Sequence, residues 1–344
     1  MNRFYSIKER FYNSNWLIIA LRSVQRVLVT GGAGFIGSHI VDELLKRGFE
    51  TFVIDDFSSG KLYNLKNNLL NPRLHVLPGD ISQIHNIMKD IEEIDVVFHE
   101  AAIASVTESV RNPEKVFYSN VRSTMKVIDF CLNSGVKKII FASSSAVYGD
   151  LSNDVLNEDL ACKPTSPYGA SKLSVENYLH SYWKTYGLKC VSLRYFNVYG
   201  PRQSNNEYSG VITIFIHRLI NNQIPIIYGD GSQTRDFVNI KDVVYANMLS
   251  MESNNAVGEI FNVGTGIPTS ILDLVQIARN TVGKDEINPT FTDARAGNIL
   301  QSVSDISRAR KLLGYNPKIN LRDGLKGFVR VYSSSSLIGA YITE

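Results

Sequence analysis

In Ser166-Pro167-Tyr168-Gly169-Ala170-Ser171-Lys172 a phenol and an ammonium stand four residues apart. On a helix that spacing puts both on one face, one turn apart. An unperturbed tyrosine has a pKa near ~10, so about one in a thousand is ionised at neutral pH. A nearby positive charge favours the phenolate, and a phenol so tuned can act as general base and then general acid. Lys172 is therefore expected to lower the pKa of Tyr168. Pro167 suits a first helical turn. Leu173, Val175, Tyr178, Leu179, Tyr182 and Trp183 follow at helical spacing and predict a helix from Pro167 to about Tyr186. Upstream, Lys138-Ile139-Ile140-Phe141 reads as a strand that delivers Ala142-Ser143-Ser144-Ser145 to its end. Taken alone, the Tyr-x-x-x-Lys spacing also suits a solvated helix face, and the serines also suit a turn.

A second group of residues points to what such a base would work beside. Arg26-Val27-Leu28-Val29-Thr30 is a β-branched run leading straight into Gly31-Gly32-Ala33-Gly34-Phe35-Ile36-Gly37, and a helix is predicted from Phe35 to Lys46, ended by Gly48. Gly32, Gly34 and Gly37 fit the dinucleotide pattern, in which small residues let the backbone approach a pyrophosphate at a helix N-terminus. The next strand, Thr51-Phe52-Val53-Ile54, ends in Asp55, about 20 residues on, where an acid grips the adenosine ribose. Asp56 follows, and no Arg or Lys appears before Lys61 to meet a 2′-phosphate, so NAD is expected rather than NADP.

Strands and helices then alternate as a doubly wound parallel sheet requires, an α/β fold of Rossmann type. Leu74-His75-Val76-Leu77 is followed by Gly79-Asp80-Ile81, where an acid at a strand end could reach adenine. Asp95-Val96-Val97-Phe98-His99 leads into Glu100-Ala101-Ala102, small enough for a backbone to pass close to the cofactor. A helix is predicted from Asn120 to about Asn133, and Cys190 to Tyr195 is one more strand. Ligands in such sheets bind beyond the carboxyl ends of the strands, the edge that carries the serine cluster. After Gly200-Pro201-Arg202-Gln203 the pattern turns irregular, which suggests a smaller mixed α/β substrate-binding domain. Residues 26–196 joined by about 229–262 are read as the dinucleotide-binding domain, and 197–228 with 263–332 as the substrate-binding domain. Residues 1–25 form an N-terminal extension and 333–344 a tail. Arg235 and Arg295, each in or beside a loop, suggest a phosphate clamp, because guanidinium suits bidentate phosphate contacts.

At 344 residues, 44% hydrophobic and 20% charged, the composition is that of a globular enzyme with a full core. A net charge of +3 without a Lys/Arg tract argues against nucleic-acid binding. Cys131, Cys162 and Cys190 show no metal-ligand spacing and cannot all pair, so no metal is expected and a reducing cytoplasm is the simple reading. Trp16 to Leu21 is an apolar run too short to span a bilayer and lacks a clear cleavage site, so no stable membrane insertion is expected.

With Thr30-Gly31-x-x-Gly34-x-x-Gly37, Ser144, Tyr148, Tyr168-x-x-x-Lys172 and Arg194-Tyr195-Phe196-Asn197 in order, the chain resembles the extended short-chain dehydrogenase/reductase family from about Arg26 to Tyr332. Within that family it looks like the nucleotide-sugar 4-epimerases acting on UDP-glucose and UDP-N-acetylglucosamine. The resemblance implies that Tyr168 takes the sugar O4 proton while Ser144 bonds that oxygen. Hydride passes to a tightly held NAD, the 4-keto sugar turns over, and hydride returns to its other face. It also implies NAD contacts from Gly31, Gly34, Phe35, Ile36, Gly37, Asp55, Asp56, Asp80, Ile81, Ala101, Ala102, Asn120, Tyr168, Lys172 and Tyr195. Asn197, Arg235 and Arg295 would hold the diphosphate of the UDP-sugar, and Ile226 with Tyr228 would flank the uracil. Ser302 falls where the family walls off the sugar 2-substituent, and Ser105 and Gln203 resemble the branch that admits N-acetyl sugars. Asn298 departs from the usual Asp of that loop. A homodimer joined through the helices beginning near Val106 and Pro167 is implied as well. A 4,6-dehydratase would need an Asp-Glu pair after Ser144, where Ser145 and Ala146 stand. Epimerisation or decarboxylation of a uronic acid stays open, because no residue identifies the C6 substituent.

Overall fold

The computed structural model describes residues 25–91, 93–151, 155–204, 210–294 and 300–339, with side chains to residue 331. The expected extension, apart from residue 25, and the expected site residue Arg295 lie outside these. Among the described residues no helix is long and apolar enough to cross a membrane.

Seven parallel strands form the central sheet: β1 (Arg26–Thr30), β2 (Glu50–Asp55), β3 (Leu74–Pro78), β4 (Val96–His99), β5 (Lys138–Ser144), β6 (Cys190–Tyr195) and β11 (Ile260–Val263). Their order is β11-β6-β5-β4-β1-β2-β3, so the chain winds outward from β1 in one direction and then, from β4, in the other. This is the doubly wound Rossmann-like architecture the alternation predicted, and its reversal point between β1 and β4 is where such sheets bind ligands. The inner strands read as near-continuous β-branched and aliphatic runs because both faces are covered.

The main helices form two layers over the sheet and a separate cluster. They are α1 (Phe35–Lys46), α2 (Val106–Arg111), α3 (Pro113–Phe117), α4 (Ser123–Asn133), α5 (Pro167–Tyr186), α6 (Val211–Ile220), α7 (Ile240–Glu252), α8 (Ile271–Val282), α9 (Ser307–Leu313) and α10 (Leu321–Gly339). On one face, α1, α7 and α9 bury Ile40, Leu44, Val243, Met248 and Leu313 against Val29, Phe98, Ile140 and Leu193. On the other, α4 and α5 bury Val127, Ile128, Val175 and Leu179 against Leu28, Val97, Ile139 and Phe141. A separate core holds Phe215, Ile216, Leu274, Val275, Leu325 and Phe328 from α6, α8 and α10.

The helix expected to begin at Asn120 begins earlier. Pro113 starts α3, and a π-helical turn over Tyr118–Arg122 connects it to α4. The extra residue of a π turn re-aims side chains and is common at functional sites; here it carries Asn120.

Three small sheets lie beyond the carboxyl edge. β7 (Asn197–Tyr199) pairs with β10 (Phe237–Asn239), and β8 (Ile226–Tyr228) with β13 (Thr290–Thr292). In the third, β9 (Thr234–Arg235) lies between β12 (Thr269–Ser270) and β14 (Gln301–Ser302). These pairings gather segments distant in sequence over the end of the main sheet.

Candidate active site

Helix α5 begins where its local chemistry dictates. Ser166 Oγ accepts the Gly169 N–H at 3.1 Å, Pro167 occupies the first turn, and Gly187 closes the helix at φ 74°. A Cβ on Gly169 would lie 2.4 Å from the Ala146 carbonyl oxygen, so glycine lets this helix start press on the turn after β5. That contact brings the start of α5 to Ser144, whose hydroxyl acts to lower the Tyr168 pKa. Ser144 Oγ also accepts the Ala146 N–H at 3.2 Å, which holds the hydroxyl at the strand end.

Lys172 is buried and donates from Nζ to the Ala142 carbonyl at 2.7 Å, with the ammonium 5.9 Å from the centre of the Tyr168 ring. Burial draws the Lys172 pKa down to about 8, against the attraction of Glu100 and Glu176. The expected lowering of the Tyr168 pKa is absent in the protein alone. Burial pushes the phenol up, the Ser144 hydrogen bond opposes this, and the charge of Glu100 adds to the rise. A half-buried phenol within the field of a carboxylate resists ionisation, and an ammonium aimed at a carbonyl does not reverse that.

The glycine loop is folded back on itself at the end of β1. Gly31 has φ 68°, and a Cβ there would meet the Ala101 nitrogen at 2.7 Å, while one on Gly37 would lie 2.3 Å from the Gly31 carbonyl oxygen. Gly34 precedes α1 without a side-chain cap, and no acid sits in the first turn. The leading N–H groups, at Phe35, Ile36 and Gly37, therefore have no intrahelical acceptor and present a positive dipole end. This cradle fits a dinucleotide pyrophosphate. Asp55, at the end of β2, accepts the Ala33 N–H and the Phe57 N–H, each at 2.9 Å. Burial raises its pKa, and these bonds pull it back. Each carboxylate oxygen keeps lone-pair capacity for a hydroxyl donor. Asp56 holds the Ser58 N–H at 2.9 Å and Asp80 the Ser82 N–H at 2.7 Å, with Ile81 buried beside the latter.

Beyond β4, the backbone of Ala101 lies against Gly31 of that loop. Asn120 is buried. It pins the Ile103 backbone by N–H···Oδ1 at 2.8 Å and Nδ2–H···O at 3.0 Å, and donates to Ser171 Oγ at 3.1 Å. Its amide thus ties the segment after β4 to α5. Tyr195 turns its hydroxyl inward, donating to Glu100 Oε1 at 2.9 Å and accepting from Asn247 Nδ2 at 2.8 Å.

On the other side, Arg235 and the buried Ser302 are partners across β9 and β14. Arg235 Nη1 reaches the Thr234 carbonyl at 2.8 Å, and burial lowers its pKa. Asn197 begins β7, and Ile226 and Tyr228 bracket β8. Two expected substrate residues are occupied locally. Ser105 caps α2 by accepting the Glu108 N–H at 3.0 Å. The Gln203 amide donates to the Val198 carbonyl at 3.2 Å and accepts from Thr213 Oγ1 at 2.7 Å.

A profile of the NAD dependent epimerase/dehydratase family matches residues 27–264. The chain belongs to the NAD-dependent epimerase/dehydratase family. A UDP-glucose 4-epimerase of Mycolicibacterium smegmatis is 36% identical over 314 residues, covering 90% of this chain and 99% of the relative. The crystal structure of UDP-N-acetylglucosamine 4-epimerase from Methanobrevibacter ruminantium in complex with UDP-N-acetylmuramic acid matches with a TM-score of 0.86 at 40% identity. It covers 90% of this chain and 99% of that one. UDP-glucose 4-epimerase from Thermus thermophilus in complex with NAD matches with a TM-score of 0.82 at 34% identity, covering 90% and 100%. The chain is thus an epimerase-type enzyme whose cofactor is NAD, consistent with the cradle above.

For a member of this family, several buried polar residues around the site were not singled out by sequence reasoning. Glu176, one turn beyond Lys172, accepts from Arg194 Nε at 3.0 Å, Arg194 Nη2 at 2.7 Å and Ser143 Oγ at 2.5 Å. His99 bridges Thr30 Oγ1 at 2.7 Å and Thr124 Oγ1 at 2.8 Å, and burial holds its pKa down to about 3, so it stays neutral. The i, i+4 spacing of Lys172 and Glu176 was a readable signal for the first. Nothing in the sequence pointed to the partners of the second.

Proposed function

We propose that this enzyme interconverts the C4 epimers of a UDP-sugar through a transient 4-keto sugar. The observation that carries this reading is that Tyr168 opens α5 on the turn after Ser144, at the carboxyl edge of the sheet, with Lys172 buried one turn on. Bound NAD supplies a hydride acceptor and donor, together with a ring charge that favours the phenolate. Tyr168 takes the O4 proton as the C4 hydrogen leaves, and returns it when the ketone is reduced. Ser144 holds that oxygen at both stages, so the proton is neither gained nor lost over the cycle. Lys172 keeps a positive charge on the same side.

Asn197 and Arg235 stand with β7 and β9 over this edge and would hold the diphosphate, with Arg295 as the second clamp residue. Ile226 and Tyr228 would flank the uracil. Ser302, buried and paired with Arg235, supports acceptance of N-acetyl sugars as well as UDP-glucose, because a small side chain leaves room beside the sugar. Exposed Val110, Phe117 and Tyr178 on α2, α3 and α5 support a homodimer through these helices. Three free cysteines fit a reducing cytoplasm.

Purified protein is incubated with UDP-glucose and, separately, UDP-N-acetylglucosamine, without added NAD. The expected products are the C4 epimers of both. An unsaturated keto sugar in place of these epimers, or carbon dioxide released in a parallel incubation with UDP-glucuronate, would replace this reading.

A further inference from the structure

Asp236 is a fully buried carboxylate, and donors from two segments remote in sequence close on it. Oδ1 accepts the Thr265 N–H at 2.8 Å and the Thr265 hydroxyl at 2.6 Å. Oδ2 accepts the Gly266 N–H at 2.9 Å, the Ser304 N–H at 3.2 Å and the Ser304 hydroxyl. Thr265 and Gly266 follow β11, an edge strand of the main sheet, and Ser304 follows β14. A buried carboxylate needs donors in place of its water, and these five supply them. The approach is tight: a Cβ on Gly264 would press on both Ser304 Oγ and Asp236 Oδ2. The main chain of Asp236 makes two further ties. Its N–H donates to the Ser302 carbonyl at 2.9 Å, and its carbonyl accepts the Asn197 N–H at 3.0 Å. Arg235 is its chain neighbour and pairs with Ser302 across β9 and β14.

We propose that Asp236 is a positioning residue for the UDP-sugar. Its carboxylate locks the strands that carry Asn197, Arg235 and Ser302 to the end of β11, so the diphosphate site is assembled before the ligand arrives. Strands β9 and β14 are two residues long and have few ladder bonds of their own to set their place. The carboxylate supplies the missing constraint, and a site ordered in advance does not spend binding energy on ordering. Only a carboxylate suits the position. All five partners of the side chain are donors, whereas an asparagine amide offers one oxygen and two N–H groups. Whichever way that amide turned, its NH2 would face the backbone N–H of Thr265 or of Gly266.

This inference rests on the UDP-sugar reading, but its test uses binding rather than turnover. Isothermal titration calorimetry measures UDP binding to the enzyme with its NAD, and the NAD retained after gel filtration is quantified. For Asp236→Asn the dissociation constant for UDP is expected to rise about tenfold, with retained NAD at the wild-type level. In an Arg235→Gln background the same substitution is expected to cost less, because part of what Asp236 positions is gone. Thr265→Val removes one donor at nearly constant shape and is expected to weaken UDP about threefold. Thr265→Ser keeps the hydroxyl and is expected to stay near wild type; this pair decides the matter if Asp236→Asn does not fold. Unchanged UDP affinity in Asp236→Asn, a parallel loss of UDP and NAD, or equal effects of the two Thr265 variants overturns the proposal. The expected shifts in a protein that epimerises no UDP-sugar would leave it standing and remove the chemistry proposed above. A wild type that binds no UDP would remove both.

Discussion

Replacing Glu176 by Ala removes the one counter-ion that Arg194 has among the described residues; that guanidinium is 3% exposed, and the carboxylate itself is 1% exposed. Arg194 would lose hydrogen bonds at 3.0 and 2.7 Å, and Ser143 would lose its acceptor. Its remaining support is the face of Tyr148, 4.7 Å away. Removing one member of a buried pair costs about 3–5 kcal/mol, because the other charge stays desolvated. Set against a total stability of roughly 5–15 kcal/mol, that is a large share. An exposed pair such as Lys326–Asp323 is screened by solvent and contributes little. The Glu176→Leu/Arg194→Met double variant removes both charges and is expected to recover most of the loss, to within about 2 kcal/mol of wild type. Urea unfolding of the wild type, Glu176→Leu, Arg194→Met and the double variant gives the coupling energy directly. The reasoning fails if Glu176→Ala costs less than about 1 kcal/mol, or if the double variant is less stable than the sum of the singles.

Three further outcomes are expected. Tyr168→Phe should lower kcat by about 10²–10⁴ with the far-ultraviolet circular dichroism unchanged; turnover within a few-fold of wild type would remove Tyr168 as the base. Ser302→Tyr should reduce kcat/KM for the N-acetyl sugar far more than for UDP-glucose, read by coupled assays on both, and equal losses would count against the wall at Ser302. The folded Lys172 pKa of about 8 lies below its unfolded value of ~10.4, so the unfolded chain keeps the proton longer and stability should rise with pH between them. Relative to Lys172→Met, the wild type should gain about 2 kcal/mol from pH 8 to pH 10, and parallel stability curves would contradict the burial of that ammonium.

The doubly wound parallel class and six of the seven strands of the main sheet followed from alternation and β-branched runs, because a strand buried on both faces has to be written in apolar residues; the strand order came from the fold. The cofactor cradle was equally legible: a glycine that must adopt φ 68° beside another backbone leaves a mark no other residue can make. Tyr168, Lys172 and Ser144 could be chosen from residue type and position, since their helix and strand were each recognisable locally. Their electrostatics could not. The i, i+4 spacing correctly put the ammonium on the phenol's helix face, but whether it acts on the phenol or on the Ala142 carbonyl depends on β5, which lies across the sheet layer. The sign of the Tyr168 shift was decided by burial and by Glu100, 68 residues earlier in the chain. The same holds for Ser105, whose hydroxyl was claimed by a helix cap, for Gln203, whose amide was claimed by β7 and α6, and for Arg235 beside Ser302, joined by strand pairing. Residue type and local period determine what an element is and what its side chains are able to do. Distances of a few ångströms between remote segments determine charge and hydrogen bonding, and those exist only once the chain has packed.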